Sequence, residues 1–212
     1  FVMLWLALRF PSLPLEIHTR GAPASGPLAV ACTSAASTGI VACNPEARRR
    51  GIRAGMAVTA AWTLAADHQI FPRDVAAERV ALERMAGWAL QFTPAVSIAA
   101  PDELLLEVGG SVRLFGGLTH LWAHLAQQLG TVGYTALIAA APTPLAAQWF
   151  ARAGLSPRIR HDDALRLELK RLPADVLDLS PTVQNLLQDI GVRTLGECLQ
   201  LPRDGLARRG GK

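Results

Sequence analysis

Apolar residues follow two rhythms along this chain: short unbroken runs fenced by turn residues, and longer stretches where they recur every three or four positions. The first rhythm predicts strands. Met3 to Leu8 is an apolar run ended by Arg9 and Pro11, as in a strand buried on both faces, whereas Pro11, Pro14 and the Gly21 to Pro27 cluster predict irregular structure. Leu28 to Thr33 and Gly39 to Cys43 read as a hairpin around small polar residues. Asn44 to Gly51 then offers a cap, a proline for the first helical position, Glu46 near the positive end and three arginines near the negative end. This predicts a short helix with a cationic terminus.

The second rhythm is clearest from Pro72 to Phe92, where Ala77, Ala81, Met85, Trp88 and Phe92 share one helical face. Strands are predicted over Ala95 to Ala99 and Glu103 to Val108, with Val112 to Phe115 a third short apolar piece between glycine pairs. Leu118 to Leu129 predicts a helix, Tyr134 to Ala140 a strand, and Thr143 with Pro144 opens a helix reaching Ala153. Residues 155 to 171, charged and poorly periodic, read as a connecting segment. Ser180 and Pro181 open a helix that Gly191 ends, and Thr194 with Glu197 forms a capping box for the next, making an αα-hairpin. Strands and helices alternate with mixed spacing, which predicts an α+β fold: an antiparallel or mixed sheet backed by long helices.

Half of the 212 residues are apolar and 18% are charged, which excludes a disordered or low-complexity chain. No window is long and apolar enough to predict a membrane span, and the apolar start reads as a buried strand instead of a secretory leader. Cys32, Cys43 and Cys198 are odd in number and far apart, so neither a disulfide framework nor a zinc site is expected, and the cytoplasm is the expected compartment. The net charge of +4 permits a polyanionic partner without requiring one, although 19 of the 21 basic residues are arginines.

Four segments are more specific: MLWLALRFPSLPLE at the start, PEARRRGIRAGMAV, PDELLLEVGGSVRLFGG, and LLQDIGVRTLGECLQLPRDGLARRGG near the end. They occur in that order over nearly the whole chain, and together they resemble the Y-family (UmuC/DinB-like) translesion DNA polymerases, most nearly their ImuB-type non-catalytic members. The resemblance implies a palm from residues 3–10 and 71–157 with a mixed sheet, a small fingers subdomain over 11–70, and a truncated all-α thumb over 158–212 holding a helix-hairpin-helix-like unit. A little finger and a C-terminal tail would complete such a protein and are absent from this sequence. The ending at Arg208 to Lys212 predicts a chain that stops early.

In that family two metal ions stabilise the attacking and leaving oxygens, and carboxylates from separate palm strands hold them. The position matching the first acid is Ala7. Asp102 and Glu103 match the adjacent acid pair and are the candidate catalytic and magnesium-ligating residues, vestigial or weak without the first; Glu107 falls where a third acid often follows. Of the triphosphate contacts, Arg48 keeps its cation, whereas the tyrosine position holds Pro45 and the lysine position Ala147. The resemblance thus implies a non-catalytic DNA-binding scaffold of DNA repair and damage-induced (SOS) mutagenesis, requiring no cofactor. An active error-prone polymerase using Asp102 and Glu103 with magnesium, or a truncated remnant, stand as alternatives. The implied partners are primer-template DNA and, for a complete protein, a RecA-like accessory protein, the sliding clamp and an error-prone replicative-type polymerase, with no membrane.

Arg48, Arg49, Arg50 and Arg53 would in isolation read as a solvated helix face; the family context makes them candidate DNA-phosphate contacts. The hairpin reads either as a packing unit or as a phosphate-binding turn through the backbone N–H groups around Gly191, Arg193 and Thr194. His120 and His124, four apart without a third ligand, read as surface or half-buried histidines. Trp5, Trp62, Trp88, Trp122 and Trp149, one per element, read as core anchors.

Overall fold

The computed structural model describes residues 3–21, 26–34, 37–64 and 68–201. In chain order these form β1 (Trp5–Arg9), α1 (Leu13–Thr19), β2 (Leu28–Ser34), β3 (Ser37–Cys43), α2 (Pro45–Arg49), α3 (Val58–Leu64), β4 (Gln69–Pro72) and α4 (Val75–Ala89). There follow β5 (Val96–Ala99), β6 (Glu103–Glu107), α5 (Leu118–Val132), β7 (Leu137–Ala141), α6 (Pro144–Arg152), α7 (Asp162–Arg171), a short 3-10 turn (Ala174–Val176), α8 (Pro181–Asp189) and α9 (Leu195–Cys198). The α+β class is as expected. The ending at Arg208 to Lys212 lies outside the described residues.

The chain divides into two compact units. The first takes residues 3–9, 105–110 and 137–201. Its core strand β1 pairs antiparallel with β7, from Trp5 opposite Ala141 to Arg9 opposite Leu137, so that Ala7 faces Ala139 across the ladder. On its other side Leu4 accepts from the Val108 N–H at 2.7 Å. Helix α6 packs on both β1 and β7, and Thr143 caps it by accepting from the Ala146 N–H (3.3 Å). Arg9 donates to the carbonyl of Arg152 at the C-terminal end of α6 (3.0 Å), where a cation meets the negative end of the helix. Helix α7 packs on α9, and Gly196 is required there because a Cβ would stand 2.8 Å from the Lys170 carbonyl oxygen.

The second unit takes 10–104 and 111–136, among the described residues. Its three-stranded sheet has the order β3-β2-β4, with β2 antiparallel to β3 and parallel to β4. Alternate residues of β2 serve two cores: Ala29 and Ala31 pack with Ala47, Ile52 and Ala61 of the α2–α3 side, and Leu28 and Val30 pack with Leu15 of α1 and with Phe71. Helix α4 packs on α1 and β5. Strand β6 carries the chain from this unit to the first.

Several expectations are corrected. Pro14 sits in the first turn of α1, where a missing N–H costs nothing, so the chain is helical from Leu13 and only the Pro11–Ser12 turn before it is irregular. Residues 155–171 hold α7, whose only buried side chain is Leu165, too narrow a stripe to register as periodic. Val112 to Phe115 lies in a run of turns and not in a strand. Trp62 is 50% exposed, stacked at a tilt on His68, so it is no core anchor.

Candidate functional site

Ala7 stands at the centre of β1, fully buried, with Leu6 and Leu8 equally buried beside it. A methyl group occupies the position that the resemblance gives to the first metal-bridging acid. Glu107 is engaged elsewhere: its Oε1 accepts from the backbone N–H groups of Leu4 (3.2 Å) and Gly109 (3.0 Å), which ties the end of β6 to the start of the chain. Asp102 is half-buried in the turn before β6, its carbonyl accepting from the Phe10 N–H (2.9 Å), while Glu103 opens the strand and is 1% exposed. Among the described residues no group of three or more His, Cys, Asp or Glu side chains is placed to hold a metal ion. Magnesium needs near-octahedral oxygen ligation, which the methyl group of Ala7 cannot supply and for which Glu107 Oε1, bound to two backbone amides, is poorly placed.

Arg73 was not singled out from the sequence. It follows β4 and meets Glu78 of α4 through two parallel hydrogen bonds, Nε to Oε1 and Nη2 to Oε2, both 2.8 Å. These bonds hold its pKa above the ordinary arginine value; desolvation opposes them, and the charges of Glu78, Cys32 and Asp102 add to the rise.

Arg48, Arg49, Arg50 and Arg53 are all exposed on or just after α2. Asn44 fixes this helix: its Oδ1 accepts from the N–H groups of Ala47 (2.8 Å) and Leu28 (3.1 Å), and its Nδ2 donates to Gly26 (2.9 Å). Glu46 pairs loosely with both Arg49 and Arg50 at 3.7 Å. Arg53 donates to the carbonyls of Arg48 and Ile52, closing the turn after the helix. Pro45 occupies the first turn of α2, and Ala147 is wholly buried in α6, so neither can approach a triphosphate as a tyrosine or lysine would.

The hairpin of α8 and α9 forms as expected, with Gly191 at φ 76° and the Thr194–Glu197 capping box complete. Its amides have partners within the hairpin. Gly191 and Val192 donate to the carbonyls of Gln188 (3.0 Å) and Leu187 (2.8 Å), and Arg193 and Thr194 both donate to Glu197 Oε2 (2.7 and 2.9 Å). The Glu197 carboxylate therefore competes with any phosphate for the Arg193 and Thr194 amides. Those amide bonds draw the Glu197 pKa below its ordinary value. Arg193 is among the residues lining a small cavity of about 170 Å³, with Asp175, Gln184 and Gln188.

His120 and His124 do not form a metal site: His120 Nδ1 lies 3.1 Å from the Gly116 carbonyl, and His124 packs against Phe92 and Phe115. No helix among the described residues is long and apolar enough to cross a membrane.

The fold is one found in Y-family DNA polymerases. An insertion ternary complex of Dbh DNA polymerase matches with a TM-score of 0.79 over 99% of this chain and 64% of that one, at 20% identity. DinB from Sulfolobus solfataricus matches over the same shares with a TM-score of 0.74, also at 20% identity. A model of the impB/mucB/samB family matches residues 18–152, and the chain belongs to that family, the UmuC/DinB domain of the Y-family. Protein ImuB of Caulobacter vibrioides strain NA1000 is 33% identical over 161 residues, which are 76% of this chain and 35% of that protein. The chain thus spans about a third of the length of this curated relative.

Proposed function

We propose that this chain is the palm (3–10 and 71–157), the fingers (11–70) and the start of the thumb of a protein that holds primer-template DNA during damage-induced mutagenesis without polymerising. One observation carries the reading: Ala7 is fully buried in β1, at the position to which the resemblance gives a metal-bridging carboxylate. The exposed arginines of α2 supply sequence-independent affinity for phosphates, with Arg48 nearest in role to a nucleotide-phosphate contact. The likeness to a polymerase solved as a ternary complex supports the DNA-holding half of the reading. For a complete protein the partners implied by the resemblance, a RecA-like accessory protein, the sliding clamp and an error-prone replicative-type polymerase, complete the scaffold role.

The test is fluorescence anisotropy with labelled primer-template over a salt series, run beside primer extension in magnesium. Affinity that falls linearly with salt on logarithmic axes, with no extension, is expected. Extension that disappears in Asp102→Ala would instead establish the second reading, an active polymerase using Asp102 and Glu103.

A further inference from the structure

Of the five tryptophans, Trp62 is the one in an exposed position, and the second unit braces it from one side. Its ring lies 4.3 Å, centroid to centroid, from that of His68 at a 49° tilt. His68 is buried and leads directly into β4, whose first residue, Gln69, pairs with Leu28 of β2 and donates to the Pro27 carbonyl (3.0 Å). An indole set against a fixed ring has less rotamer freedom to lose when a second ring lies on its open side.

The surroundings of this indole are cationic. Ala61, the neighbour of Trp62 on α3, packs in one core with Ala47 of α2 and with Ile52, which sets α3 beside the arginine-bearing segment. Leu64 closes the approach, its Cδ1 standing 3.6 Å from where a Cβ on Gly51 would be, between Arg50 and Arg53 in sequence. Thr59, Ala60 and Thr63 of α3 are exposed and uncharged, and residues 47–64 hold four arginines and no acid. Glu46, 3.7 Å from Arg49 and from Arg50, offsets only part of that charge.

We propose that Trp62 is a stacking platform for an unpaired DNA base, with Arg48, Arg49, Arg50 and Arg53 meeting the phosphates beside it, so that this face takes a single strand. Every base has a flat face, so stacking on an aromatic ring is tolerant of sequence. In a duplex those faces are already covered by neighbouring bases, whereas a single strand offers them, and the indole discriminates where phosphate contacts alone do not. An apolar protein surface docked on the indole would bury the nearby cations without acids to answer them; a polyanion with ring faces satisfies both. The proposal rests on the DNA-holding reading and names the form of DNA that this face takes.

The test is anisotropy with labelled oligothymidylate, an abasic strand of the same length and a blunt duplex. Wild type is expected to bind oligothymidylate about tenfold more tightly than the abasic strand, since the phosphates are the same and only the bases differ. Trp62→Ala, or Trp62→Leu where the smaller side chain does not fold, should lose that margin, and Trp62→Phe should keep most of it. None of these variants should change the logarithmic salt slope or the affinity for blunt duplex, because no cation is removed. Equal wild-type affinity for the oligothymidylate and abasic strands overturns the proposal whether or not any variant folds. So does a folded Trp62→Ala or Trp62→Leu protein that keeps the margin, which would leave the indole to a protein contact. In both cases, binding to blunt duplex that persists leaves the DNA-holding reading intact, whereas no binding to any probe ends both readings.

Discussion

Placing an aspartate at position 7 asks whether the missing acid could simply be put back. The Ala7 side chain is inaccessible to solvent, lies opposite the equally buried Ala139, and is flanked along β1 by Leu6 and Leu8. Along the strand it shares a face with Trp5 and Arg9, and the Arg9 guanidinium is already bound to the Arg152 carbonyl. An unpaired carboxylate at such a position costs about 3–5 kcal/mol if it stays ionised, and part of that if it takes up a proton. For a chain of this size that is a fall of about 6–20 °C in Tm. Circular dichroism melts of wild type and Ala7→Asp, with and without magnesium, measure it. An Ala7→Asp protein as stable as wild type, further stabilised by magnesium and able to extend a primer, would refute the claim that this site cannot accept the acid.

Four further outcomes are expected. Asn44→Ala removes three side-chain hydrogen bonds and should lower stability by about 2–3 kcal/mol in urea melts. The Glu197 pKa is depressed by the Arg193 and Thr194 amides, so its stabilising contribution is present above the unfolded-state pKa and lost as pH falls through the lower folded value; Glu197→Gln should abolish that acid-side loss. Glu16 runs the other way: burial raises its pKa against the opposing hydrogen bonds from Thr135, so the stability it lends is present below the unfolded-state pKa and lost as pH rises through the folded one, and Glu16→Gln should flatten this slope in melts across the acid range. Replacing Arg48, Arg49, Arg50 and Arg53 by alanine should weaken DNA binding and make the logarithmic salt slope shallower by about 0.9 for each phosphate that is no longer neutralised.

What could be read from the sequence was local chemistry. Asn44, Thr143 and the Thr194–Glu197 pair announced their helices because a cap acts within three residues of itself. Helix α1 was hidden because Pro14 is a breaker everywhere except the first turn, and α7 because it buries one leucine. The site divided along the same line. Ala7 was visible as a missing acid, but that Glu107 is spent on the Leu4 and Gly109 amides depends on a pairing across about a hundred residues. The Glu197 carboxylate in the hairpin's amide nest was foreshadowed by the capping box, whose carboxylate competes with phosphate for the same donors. Arg73 and Glu78 are five apart and would not meet on one helix; they meet because Arg73 lies outside α4.

Single-turnover primer extension tests the central claim most directly, with protein in excess over a primer-template whose occupancy is measured in the same sample by anisotropy. The account predicts saturated DNA and an unextended primer in magnesium or manganese. Extension of the bound primer by even one nucleotide, abolished in Asp102→Ala, would contradict it.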